Sequence, residues 1–169
     1  MISVQMDLRK KLEMESSIGL IVKLAEKSLE RALDSELKEK CNLTGGQWKV
    51  IIVLAISDGL TQKELASLVF VETSTLVPIL DKMEKIGFVQ RKSDPNDRRI
   101  NRIYLTTKAR RIVDMIVDCI MNFRKVLTKN ISEKDLYITR KILKQMAQNA
   151  DNLLEKKGIR IPPTILSKK

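Results

Sequence analysis

Eight basic side chains fall between positions 91 and 111: Arg91, Lys92, Arg98, Arg99, Arg102, Lys108, Arg110 and Arg111. Only Asp94 and Asp97 oppose them in that stretch. Cationic groups at this density bind polyanions, either nucleic acid phosphates or an anionic membrane surface. The bland alternative is a solvated basic loop. Arg98 and Arg99 follow Ser93-Asp94-Pro95-Asn96-Asp97, which is dense turn chemistry. They therefore stand near a loop tip, where long side chains can reach a narrow groove. Catalytic chemistry has little to work with. The chain has no His, which removes the commonest general base and transition-metal ligand. It has no phosphate-cradling glycine loop, and Cys41 and Cys119 lie far from any metal or redox spacing. We expect no enzyme, no metal site and no cofactor.

The elements around the cations decide how they are presented. Phe88 to Lys92 and Ile100 to Leu105 are β-like runs either side of the turn, which makes a hairpin. Ahead of it, Thr61 with Glu64 forms a capping box that opens a short helix with Leu65 and Leu68 inward. A turn near Phe70-Val71 leads to a second helix from about Glu72 to Lys85, with Leu76, Ile79, Leu80 and Met83 as its apolar stripe and Gly87 as its stop. Two helices, a tight turn and a hairpin make a winged helix-turn-helix, whose second helix enters the DNA major groove. The candidate interface is Thr73, Ser74, Thr75, Pro78 and Lys82 on that helix, with Arg91, Lys92, Asp97, Arg98, Arg99 and Arg102 on the wing.

The rest of the chain is helical. Thr44 and Gln47 form another capping box, opening a helix whose Trp48 and Val50 to Ile56 make it apolar nearly all round and hence central; Asp58-Gly59 ends it. A first helix is expected over roughly Met6 to Lys40, a helix from Thr107 to Lys129 running directly out of the wing, and a last one from Ser132 to Lys157, with an extended tail at Pro162-Pro163. Their apolar stripes, such as Ile116, Cys119 and Phe123 or Ile142, Leu143 and Met146, exceed what one small lobe can bury. A second copy of the chain is the expected partner. The fold class is mainly α with a minor β part. We expect a single domain over 1–169, with dimerisation helices at 1–42 and 107–169 and a DNA-binding lobe at 43–106.

Composition agrees. The 169 residues carry a net charge of +11, 43% hydrophobic and only 4% aromatic residues. That suits an aliphatic helical core and a polyanionic partner. No secretory pattern and no membrane-length apolar run is visible, so a soluble cytoplasmic protein that does not engage membrane is expected. Trp48 either lines a ligand pocket or packs the lobe. Cys119 reads as core. Cys41, beside Lys38 and Lys40, reads as an inert thiol unless those cations activate it.

Taken in order, the residues resemble the MarR (multiple-antibiotic-resistance regulator) family of transcription factors. The resemblance covers Leu43-Thr44 with Gln47-Trp48; Thr61 with Glu64-Leu65-Ala66; and Ser74-Thr75-Leu76. It continues through Met83-Glu84 to Gly87-Phe88-Val89 and Arg91, then Asp94-Pro95, Asp97-Arg98-Arg99, Leu105-Thr106 and Lys108. It implies a two-fold homodimer on double-stranded DNA at a pseudo-palindromic operator. Recognition helices would lie in successive major grooves and wings in adjacent minor grooves. It implies a ligand-responsive repressor, since many relatives release DNA on binding a small aromatic or phenolic effector or on thiol oxidation; the effector-binding residues are unknown. It gives Asp97 the role of orienting neighbouring arginines. Val77-Pro78 departs from the Thr-Arg of many members and removes a backbone donor. Pro at that point is familiar from the peroxide-sensing branch, but no Cys precedes Cys41, so thiol sensing is not carried over. The zinc-sensing branch needs His ligands. Ala109 replaces a common Gly. The alternatives are a basic helical adaptor, for which Arg98 and Arg99 would be dispensable, and an RNA-binding winged helix.

Overall fold

The structure is a computed structural model that describes residues 16–159. Helix α1, Ile18–Cys41, is capped by Ser17 and closed by Asn42, which sits in the left-handed region at φ 54°. Asn tolerates that conformation because its short side chain bonds locally; here its carbonyl oxygen accepts from the Lys38 ammonium at 2.8 Å. The part of the first expected helix before Ser16 lies outside the described residues, as does the Pro162-Pro163 tail. Only the end of α1 is buried, at Leu37.

Helix α2, Gly45–Ile56, is the centre of the lobe, with Val50, Ile51, Val53 and Leu54 buried. The Gln47 side chain accepts from the Thr44 N–H at 3.0 Å, which secures the helix start. Ile56, expected inside, is exposed at the last turn. The first turn of α2 runs close to two neighbours. A Cβ on Gly45 would collide with the Asp34 carboxylate, and one on Gly46 would lie 2.6 Å from the Ile79 methyl. The two glycines therefore let α2 slot between α1 and the helix that carries Ile79.

The pair after α2 is α3, Gln62–Leu68, and α4, Thr73–Lys85. At α3 the capping box closes both ways: Thr61 Oγ1 accepts from Glu64 N–H at 3.2 Å, and the Glu64 carboxylate accepts from Thr61 N–H at 2.9 Å. Strands β2, Val89–Ser93, and β3, Asn101–Leu105, pair antiparallel with Arg91 opposite Ile103. A short strand β1, Leu60–Thr61, was not expected from the sequence; it pairs with β3 through Leu60 opposite Ile103, giving the order β1-β3-β2. Leu65, Leu76, Leu80, Met83 and Ile103 share one core with Leu37, Leu43, Ile51, Leu54 and Ile116. Each fully buried aliphatic side chain contributes ~1.5–3 kcal/mol.

The segment from Thr107 is not one continuous helix. It is a turn of helix, α5 at Thr107–Arg110, then α6 at Val113–Leu127. Thr106 holds α5 in place: its hydroxyl donates to Gly87 O at 2.7 Å and accepts from Ala109 N–H at 3.3 Å. The Ile112 N–H reaches back three residues to Ala109 O, where the helix is interrupted. Ala109 before the break and Ile116 and Cys119 after it are all buried in the shared core. Helix α7, Glu133–Lys156, starts at Ser132, whose hydroxyl accepts from Asp135 N–H, and contains no buried residue. Its Ile142, Leu143, Met146 and Leu153 are all exposed, as are Ile18, Ile21 and Val22 of α1.

Candidate nucleic-acid interface

Helix α4 has two faces of opposite chemistry. Leu76, Leu80 and Met83 are fully buried, and Ile79 is partly so. The other face shows Thr73, Ser74, Thr75, Pro78 and Lys82, all exposed. Short hydroxyls there can approach base edges or phosphates closely. Pro78 has no N–H to offer the Ser74 carbonyl one turn back.

The wing turn is organised by a residue that sequence reasoning took for simple turn chemistry. Asp94 is only 4% exposed. Its carboxylate accepts from the Asn96 N–H at 2.8 Å, the Asp97 N–H at 3.3 Å and the Arg102 Nε at 2.5 Å. The Asn96 backbone donor and then the Arg102 guanidinium hold its carboxyl below the ordinary Asp range. Arg102 also donates to Gly59 O at 2.9 Å, so the wing is fastened to the turn before β1. The Asp-Pro step was the available signal, since an Asp before a turn commonly folds back on its own backbone.

The expected wing cations divide into two groups. Arg91 points back at α4, donating to Asp81 at 2.6 Å and Glu84 at 2.5 Å, with its side chain 18% exposed. Arg102 is held by Asp94. These two fasten the wing. Arg99 is gripped by Asp97 through two parallel bonds of 3.0 and 2.9 Å, yet its side chain remains 89% exposed. That grip lowers the Asp97 carboxyl below its ordinary range. Asp97 thus orients Arg99. Lys92 lies over the Tyr104 ring at 5.2 Å. Arg98 is exposed at the tip and has no ion pair among the described residues. Arg110, further on, pairs with Asp58.

A model of the MarR family matches residues 43–100. The HTH-type transcriptional regulator SarZ of Staphylococcus saprophyticus is 32% identical over 99 residues, covering 59% of this chain and 67% of that protein. The chain belongs to the MarR family. The HTH-type transcriptional regulator TtmR of Methylorubrum extorquens is 36% identical over 97 residues, or 57% of this chain; the match spans about half of that relative, 49%. In three dimensions the chain is similar to the transcriptional repressor CouR bound to a 23-mer DNA duplex, with a TM-score of 0.71 at 23% identity over 80% of this chain and 95% of that one. That last likeness is one of fold. MarR-family members are transcriptional regulators rather than enzymes; they generally bind DNA as dimers and often respond to ligands.

Within this MarR-family fold, a cavity of about 220 Å³ opens between α1, the start of α2, the turn after α3 and α4. Its lining includes Glu30, Asp34, Val69, Val71, Thr75 and Ile79. Trp48 is absent from that lining. It packs against the core, and its indole N–H donates to Asp34 at 2.8 Å. Lys49 is bonded to Glu30, and that bond first, then its charge, holds the Glu30 carboxyl low. Burial pushes both the Cys41 and Cys119 thiols up from their ordinary value, away from the thiolate that reacts. Among the described residues no cluster of metal-ligating side chains occurs and no helix is long and apolar enough to cross a membrane.

Proposed function

We propose that this chain is a homodimeric repressor that binds a pseudo-palindromic duplex operator. Ser74 and Thr75 on α4 would read the major groove, and Arg98 and Arg99 on the wing the adjacent minor groove. The observation that carries this reading is the juxtaposition of an exposed, short-side-chain polar face on α4 with a wing tip whose Arg98 and Arg99 stay exposed. The unburied apolar stripe of α7 and the exposed start of α1 supply the surface for the second copy. Chain ends 1–42 and 107–169 form the dimer part of the single domain, and 43–106 the DNA-binding lobe.

The cavity beside Thr75 supports regulation by a small molecule. Val69, Val71 and Ile79 offer an apolar seat for a ring, and the carboxylates of Glu30 and Asp34 can accept from a phenolic hydroxyl. A ligand there touches both α1 and α4, so it can bias the recognition helix against the dimer helices. Sedimentation at micromolar concentration tests the dimer: the expected mass is twice the 19.4 kDa chain. Selection from a random duplex pool should recover an inverted repeat with half-sites ~34–36 Å apart. A folded monomer, or a single short asymmetric motif, would contradict the proposal.

A further inference from the structure

Phe70 sits where the fold gives it no benefit. It follows α3 at φ 58°, in the left-handed region. The Val71 N–H bonds to Ala66 O at 3.0 Å across it, and its own N–H bonds to Ser67 O at 3.2 Å. This is the helix-ending position that Gly ordinarily fills, because a Cβ there crowds the backbone. Among the described residues the other non-glycine residues with positive φ, Asn42 and Asn130, are of the type that tolerates it. Val69 before it is buried and Val71 after it is packed against the core, but the Phe70 ring is turned outward and 75% exposed. No large apolar side chain among the described residues is more exposed. Backbone strain and a solvated ring are two separate costs at one residue, and strain of this kind collects at functional sites.

We propose that Phe70 is a DNA-contact residue, its ring packing on thymine methyl groups and sugar faces at the edge of the major groove that α4 enters. This rests on the DNA-binding reading above. The occupant follows from position. Phe70 stands three residues before Thr73, where α4 begins with the exposed Thr73, Ser74 and Thr75. The uncharged ring suits the apolar features of the groove, of which the thymine methyl is the chief one. The surfaces available to a second copy lie elsewhere, on α1, α6 and α7.

The test compares wild type with Phe70→Gly and Phe70→Asn on a duplex that the wild-type protein recovers from a random pool. Both variants fit a left-handed turn, and Asn does so without Gly's backbone freedom. Phe70→Gly should melt about 2–4 °C higher than wild type. Both variants should bind the duplex about tenfold more weakly, with the slope of log affinity against log salt unchanged because every phosphate keeps its cation. Variants that match wild type in affinity would overturn the proposal while leaving the DNA-binding reading intact. So would weak binding by the Gly variant alone, which would indicate a loosened turn, or a fall in melting temperature. A shift to monomer in sedimentation would assign Phe70 to the subunit interface instead. Wild-type protein that retains no duplex at all would remove both readings.

Discussion

The Arg91 guanidinium on β2 donates to the Asp81 carboxylate on α4 at 2.6 Å, and so ties the wing to the recognition helix. A second bond to Glu84 completes the clasp. The wing and α4 are therefore held in a fixed relation, and Arg91 is consumed in fixing it. Arg91→Ala should lower unfolding free energy by about 1–2 kcal/mol, as expected for a largely buried cation with two acid partners. Urea denaturation measures this. DNA affinity should fall because the wing loosens, with no change in its salt dependence. A flattened salt dependence at unchanged stability would instead place Arg91 on a phosphate.

Asp94 gives the wing a pH dependence of known sign. Its folded carboxyl titrates below the unfolded value of about 3.9. The stabilisation is therefore complete above about pH 4 and is lost as the pH falls through the folded value. Asp94→Asn keeps an oxygen for the Asn96 and Asp97 N–H groups but loses the charge facing Arg102. The variant should be less stable than wild type at neutral pH, and the gap should close as the pH drops below about 4. A constant gap from pH 7 to pH 3 in thermal melts would show that the charge of Asp94 is not what Arg102 needs.

Trp48 and Asp34 join α2 to α1 beside the cavity. Trp48→Phe keeps most of the packing and leaves Asp34 without its indole donor, which should cost about 1–2 kcal/mol in denaturant titration. The chain has one Trp, so its fluorescence reports this junction alone. Titration with simple phenols should shift the emission if they enter the cavity next to it. An emission unmoved by phenols that nonetheless release DNA would place the effector elsewhere.

Both thiols are raised by burial, which argues against regulation through them. A Cys41→Ser, Cys119→Ala double variant should bind and release DNA like wild type. Release by peroxide that disappears in the double variant would reverse that conclusion.

Local signals were legible in the sequence and long-range ones were not. The Thr61 to Glu64 box, the left-handed stop at Gly87 and the α4 stripe depend on neighbours within a few residues, and the structure shows each of them. Strand β1 is two residues long and exists because Leu60 meets Ile103, far along the chain. The break near Ile112 follows Thr106, whose hydroxyl is bonded to Gly87 O far back along the chain. The charge run located the wing but could not show which cations are spent inside the protein. Arg91 finds Asp81 and Glu84, and Arg110 finds Asp58, all outside the run. Asp94 looked like one turn residue among several because its partner Arg102 lies eight residues on, across the hairpin.

The central claim is that the wing tip and the exposed face of α4 meet DNA together. The most direct test is a salt titration of specific and scrambled duplexes with wild type, Arg98→Ala and Thr75→Ala. Arg98→Ala should weaken binding to both duplexes and reduce the slope of log affinity against log salt by ~0.9 for each phosphate that it no longer neutralises. Thr75→Ala should cost ~1–3 kcal/mol on the specific duplex and little on the scrambled one. If Arg98→Ala bound both duplexes like wild type at every salt concentration, the wing would not touch DNA and the central claim would be wrong.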